Sequence, residues 1–163
     1  CAGAGHIGLL AVAGTRRELV CVDIDPVATE YAAANARRNG LAAQVSTRTE
    51  SIADAAEHPT SYSLVLADPP WVASAETGRF PEDPLRAIDG GADGSALAVD
   101  CVRPAGRVLA PGGALVLQVG TEAQLDGPVA AAGREHGLVE VERRVFERGV
   151  LALLRHADGQ VSG

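Results

Sequence analysis

Short apolar runs rich in β-branched residues alternate along this chain with stretches of helical spacing, and a chain so patterned can hardly avoid an α/β layer architecture. Residues 18–23 read as one uninterrupted buried strand. Asp25-Pro26 then opens a helix that Asn39-Gly40 closes, with Asp25 placed to cap its first turn. Residues 43–48 make a second strand, 50–57 a short helix and 62–67 a third strand that stops at Asp68-Pro69-Pro70-Trp71. Residues 72–93 lack periodicity and read as a long irregular loop. A helix over 95–109, interrupted near Pro104, leads through Pro111-Gly112-Gly113 into a strand over 114–119 and a helix over 122–136. Two last strands, about 138–146 and 149–155, meet at Arg148-Gly149 as a hairpin. The expected fold is a doubly wound, mostly parallel sheet with an antiparallel C-terminal hairpin.

Composition narrows the function. With 163 residues, 47% hydrophobic and 21% charged, the chain suits one globular domain over 1–163. Its net charge is −7, and its 14 basic residues, all arginine, are scattered, which disfavours unaided binding to a phosphate backbone. No apolar run approaches the roughly 18 residues of a membrane span, so no membrane partner is expected. Three cysteines, Cys1, Cys21 and Cys101, and four dispersed histidines match no zinc spacing, so reduced thiols in a cytoplasmic setting and no metal are expected. The chain contains no methionine, and a glycine-rich turn and an apolar run follow Cys1 at once, so the sequence reads as starting inside a fold.

Two places carry candidate chemistry. The turn Cys1-Ala2-Gly3-Ala4-Gly5 precedes a helix, and missing side chains there let backbone approach a ligand. Asp23, at the end of the next strand and about 20 residues on, is placed to accept hydrogen bonds from ribose hydroxyls. The second place is Asp68-Pro69-Pro70-Trp71, at the carboxyl edge where open α/β sheets bind ligands. An Asp68 oxygen and the Pro69 carbonyl suit both protons of a planar NH2 group, and the Trp71 ring suits its flat face. The competing reading is a rigid turn with a rim tryptophan. Cys21 and Cys101, inside a strand and a helix, read as packing residues. His6 beside the glycine turn and the acidic residues of 82–93 are weaker candidates.

These segments, together with Asp83-Pro84-Leu85-Arg86-Ala87-Ile88-Asp89-Gly90-Gly91-Ala92-Asp93-Gly94 and 111–120, resemble class I S-adenosylmethionine-dependent methyltransferases. More narrowly, they resemble the release-factor glutamine N5-methyltransferase, or HemK-like, family. The resemblance implies a seven-stranded Rossmann-like methyltransferase sheet whose first strand lies upstream of Cys1, making 1–163 an N-terminally incomplete domain. It implies S-adenosylmethionine as cofactor, with Gly3 and Gly5 against its methionine part, Asp23 on the ribose and Glu50 near the adenine amino group. Asp68, Pro69 and Trp71 would carry the reaction, with Pro70 and Trp71 binding the acceptor. The chain departs from the family pattern in three ways: Cys1 stands at the usual first glycine; the preceding strand and the family's small N-terminal helical domain are not in this sequence; and Asp68 and Trp71 stand at the usual Asn and Tyr.

Expected from this is methyl transfer to a planar NH2 nitrogen, first a glutamine side chain in a protein or a small amide. Asp68 keeps a second acceptor open, the exocyclic amine of adenine or guanine in RNA or DNA, and small-molecule tailoring stands beside it. A non-catalytic methyltransferase-like binding module is the alternative of another class, against which the intact acceptor motif argues.

Overall fold

A computed structural model describes residues 1–157, which cluster as two compact units, one over Cys1–His58 and one from Pro59 onward. In the first unit, α1 (His6–Val12) buries Leu9 and Val12 and leads to β1 (Leu19–Asp23), α2 (Pro26–Arg38), β2 (Val45–Thr49) and α3 (Ile52–Ala55). The two strands pair in parallel from Leu19↔Val45 to Asp23↔Thr49. Asp25 caps α2 as the sequence predicts, its Oδ1 accepting from the Val27 N–H at 2.9 Å, with Pro26 at the first helical position. The helix expected over 50–57 shrinks to the single turn α3, because Ser51 is extended and caps it by accepting from the Asp54 N–H at 3.1 Å.

The second unit holds a four-stranded sheet in the order β3-β4-β6-β5. β3 (Tyr62–Ala67) matches its sequence prediction. The segment expected to be an irregular loop contains a 3₁₀ stretch, Ser74–Arg79, and the helical turn α4 (Leu85–Ile88), both short enough to hide beneath any periodic signal. α5 (Ala96–Val108) runs through Pro104 without the expected interruption. Its apolar face buries Ala98, Cys101, Val102 and Ala105, which outweighs the one main-chain hydrogen bond that proline forfeits.

β4 (Leu109–Val119) starts five residues before the predicted strand, because Leu109 pairs with Tyr62 ahead of a register shift that absorbs Pro111-Gly112-Gly113. The helix predicted over 122–136 is three pieces: α6 (Glu122–Gln124), a wide turn over Leu125–Val129 that accommodates Pro128, and α7 (Ala130–Glu135). β5 (Leu138–Phe146) and β6 (Gly149–His156) form the expected antiparallel hairpin, and β6 is also antiparallel to β4. Leu115, Leu117, Val119, Leu125, Val129, Leu138 and Leu154 make this unit's core.

The parallel pairs and the antiparallel C-terminal hairpin are as expected, whereas the single, mostly parallel sheet is not: the described residues form six strands in two sheets, with two parallel and two antiparallel pairings. The seventh strand of the expected sheet was assigned upstream of Cys1 and has no counterpart among them. None of the described helices is long and apolar enough to cross a membrane.

Candidate active site

In the first unit the glycine turn and the end of β1 are tied together. Asp23 Oδ2 accepts from the Gly3 N–H at 2.8 Å, and its Oδ1 accepts from the Asp25 N–H at 3.0 Å. The Ala2 N–H donates to the Val22 carbonyl at 3.0 Å, and Asn35 Nδ2 holds the Ala4 carbonyl at 3.0 Å. Gly5 adopts φ +80°, and a Cβ there would lie 3.0 Å from that of Ala32, so the turn packs on α2 only with glycine at this position. Beside Gly3 the space that a side chain would fill is open.

Glu50 follows β2, its N–H donating to the Asp23 carbonyl at 3.1 Å. His58 Nε2 lies 3.0 Å from Glu50 Oε2, and Arg48 Nη1 lies 3.8 Å from Oε1. Oε1 is buried and has no hydrogen-bond partner. The first unit therefore offers the open side of a glycine turn, a carboxylate with lone pairs beyond its two backbone bonds, and an orphaned carboxylate oxygen. Those residues fit the ribose diol and the amino group of a nucleoside cofactor.

In the second unit Asp68 to Val72, Phe80, Asp83, Ala87, Ile88, Gln118 and Arg148 line a cavity of about 220 Å³. Asp68, Pro70 and Trp71 are partly exposed, while Pro69 is fully buried. Thus all four residues of the motif singled out in the sequence border one concave site, and Asp83 does so as well. Trp71 is more constrained than expected, since its ring lies against the Gly120 main chain, where even a Cβ would overlap it.

The segment 88–94 holds the motif in shape. Val72 donates to the Ile88 carbonyl at 2.9 Å and accepts from the Gly90 N–H at 2.8 Å. Ser74 Oγ donates to Asp89 Oδ1 at 2.7 Å, and the Gly91 N–H donates to the same oxygen at 2.9 Å. These two donors, the hydroxyl first, lower the Asp89 pKa below the usual carboxylate value, and the Ser95 hydroxyl and N–H lower that of Asp93 in the same way. Gly94, at φ +78°, approaches the Trp71 carbonyl and the Gln124 amide so closely that a side chain there would overlap both.

Gln124, which sequence reasoning missed, joins all these parts. Its Oε1 accepts from the Gly120 and Thr121 N–H groups at 2.9 and 3.1 Å. Its Nε2 donates to the Trp71 carbonyl at 3.0 Å and the Asp93 carbonyl at 2.9 Å. The capping-box pattern Thr121-x-x-Gln124 was the available signal, and the structure contains both of its reciprocal bonds. Gln118 and Arg148 were missed too, because nothing local marks a strand residue and a turn residue as neighbours of one cavity.

Cys21 and Cys101 are buried as predicted, and burial raises the pKa of both thiols, that of Cys101 to about 12. No cluster of three or more potential metal ligands occurs among the described residues.

Residues 1–80 match the family model described as methyltransferase small domain. Over this stretch, just under half of its length, the chain is similar to the class I S-adenosylmethionine-dependent methyltransferases. Within that class it is similar to the HemK-like glutamine methyltransferases. A ribosomal protein uL3 glutamine methyltransferase of Bordetella pertussis is 32% identical over 127 residues, covering 75% of this chain and 42% of that protein. A release factor glutamine methyltransferase of Gloeobacter violaceus is 36% identical over 135 residues, covering 73% of this chain and 46% of its own length. The chain thus spans a little under half the length of these relatives. Among solved structures, TrmN from Thermus thermophilus matches with TM-score 0.71 at 21% identity over 96% of this chain and 42% of that one. A ribosomal protein L11 methylase from Lactobacillus delbrueckii matches with TM-score 0.69 at 12% identity, covering 95% and 66%. These likenesses support the Rossmann-like methyltransferase fold.

Proposed function

We propose that this chain is the methyl-transferring part of an N-methyltransferase whose acceptor is a glutamine side-chain amide in a protein. The observation that carries the reading is the Asp68-Pro69-Pro70-Trp71 segment lining a cavity at the carboxyl end of β3. The relatives named for glutamine methylation of release factors and a ribosomal protein support this acceptor, and with it a cytoplasmic setting.

In this reading Gly3, Gly5, Asp23 and Glu50 hold S-adenosylmethionine, which supplies an electrophilic methyl group on a sulfonium that leaves as a thioether. Asp68 and the Pro69 carbonyl accept the two N–H bonds of the acceptor. An amide nitrogen is a poor nucleophile because its lone pair is delocalised, so two acceptors that hold the NH2 protons help the pair localise toward the methyl. The Asp68 carboxylate also offsets the positive charge that develops on nitrogen as the N–C bond forms, and it can receive the proton that leaves afterwards. The Trp71 ring covers the planar face of the acceptor, and positioning supplies most of the rate.

A second reading, methylation of an exocyclic amine on adenine or guanine, is favoured by Asp68 at the usual Asn position. Against it stand the net charge of −7 and the lack of a basic stripe. One experiment separates them: the full-length protein and labelled S-adenosylmethionine are incubated with fractionated cell protein, RNA, DNA and metabolites, and products are identified by mass spectrometry. Methylglutamine in protein is the expected product. A methylated base without methylglutamine would replace the first reading by the second, and no product in any fraction would restore the binding-module alternative.

A further inference from the structure

The motif that receives the NH2 group lacks something an amide needs. An ionised carboxylate at residue 68 only accepts hydrogen bonds, whereas the asparagine usual in the family also donates. Pro69 and Pro70 have no N–H. An amide acceptor brings a carbonyl oxygen into the cavity, and leaving it without a donor forfeits affinity. Of the other side chains lining the cavity, Val72, Phe80, Ala87 and Ile88 are apolar and Asp83 is an acceptor. The donors are the Trp71 indole, Gln118 and Arg148. An indole stacked on a planar group points its N–H within its own ring plane, away from the group it covers.

We propose that Gln118 and Arg148 form the donor side of the acceptor cavity and hold the carbonyl oxygen of the amide whose nitrogen is methylated. The inference rests on the amide reading above. Among the described residues neither side chain makes a hydrogen bond or ion pair, so both are available to a ligand. Gln118 is half-buried on β4, opposite Leu151 of β6, and Arg148 sits in the turn between β5 and β6. The turn brings the two together: a Cβ on Gly149, at φ +140°, would lie 3.8 Å from Gln118 Nε2. The cavity then has an acceptor side, made by Asp68 and the Pro69 carbonyl, and a donor side that selects carboxamides over amines lacking a neighbouring oxygen.

The direction of the effect follows from amide resonance. A donor on the oxygen stabilises the delocalised form, in which that oxygen carries partial negative charge. As nitrogen commits its pair to the methyl group, the oxygen loses that charge and the hydrogen bond weakens. Gln118 and Arg148 therefore act on ground-state binding and orientation, which places their loss in KM rather than kcat.

The test uses the full-length protein and a synthetic peptide spanning the glutamine that is labelled in the fractionation experiment. Gln118→Glu and Arg148→Ala should each raise the KM for peptide by about fivefold, within the range for one lost hydrogen bond, with kcat held within about twofold. Fluorescence anisotropy should show the labelled peptide binding more weakly by the same factor, while S-adenosylhomocysteine binding stays unchanged. Arg148→Lys, which keeps a donor, should recover most of the loss. Arg148 is exposed in a turn, so its variants remain informative if Gln118→Glu does not fold. Unchanged KM and peptide affinity in a protein that methylates glutamine would overturn this inference alone, as would a loss confined to kcat. Absence of methylglutamine in any protein would overturn it together with the amide reading.

Discussion

Replacing Gln124 by leucine puts a side chain of similar volume but no hydrogen-bonding capacity at the point where four main-chain groups converge. The Gly120 and Thr121 N–H groups lose their acceptor, and the Trp71 and Asp93 carbonyls lose their donor. At 0.5–1.5 kcal/mol for each bond the loss is about 2–6 kcal/mol, and because Gln124 is buried the unpaired groups favour the upper half of that range. Such a loss is a large part of the 5–15 kcal/mol typical of a folded domain. Trp71 is the sole tryptophan, so its fluorescence reports the affected segment directly. Urea unfolding followed at Trp71 should shift to a lower midpoint, and the native emission should move to the red as the ring leaves Gly120. Gln124→Glu refines the assignment, because it keeps the acceptor for Gly120 and Thr121 but sets an oxygen against the Trp71 and Asp93 carbonyls. If Gln124→Leu retained both the native emission and the unfolding midpoint, the clamp would have no energetic role.

Four further outcomes are expected. Asp23→Ala should weaken S-adenosylhomocysteine binding by about 1.5–3 kcal/mol in calorimetry, whereas Asp68→Ala should leave that affinity nearly intact and cut methyl transfer at least tenfold. Asp89 and Asp93 have folded-state pKa values held below the unfolded one near 4, so their stabilisation of the segment 88–95 is complete above about pH 4 and lost as pH falls through the folded values. An acid titration of Trp71 fluorescence should show this loss, and Asp93→Asn should reduce the pH-dependent change. Cys101, with its thiol pushed to about 12 by burial, should resist thiol reagents in the native protein at neutral pH and react after unfolding.

What the sequence made legible is local. β3, the C-terminal hairpin and the Asp25 cap each depend on residues within a turn or a strand of one another, and each stands where it was expected. The sharp end of β3 at residues 68–71 was readable because two consecutive prolines leave few backbone options. Pro104 misled because a helix-breaking residue was weighed without the buried face that carries the helix past it. The early start of β4 was hidden because pairing with Tyr62, not local propensity, extends the strand. The glycines of 90–94 were noted as a family mark, but Gly90 and Gly94 serve physically as close contacts of the Pro70 and Trp71 main chain, some 20 positions away. Gln118 and Arg148 escaped for the same reason, since their neighbours in the cavity are near only in space, whereas Gln124 carried a local capping-box signal and only its Trp71 and Asp93 partners are distant in sequence.

The clamp built by Gln124 touches nothing but backbone at Trp71, Asp93, Gly120 and Thr121. The side chain of residue 71 can therefore be exchanged without dismantling the support beneath it, provided that Gly120 keeps the floor clear for a flat ring. The arrangement separates the choice of side chain at residue 71 from the maintenance of the frame, so that this residue can vary while the same main-chain path is inherited.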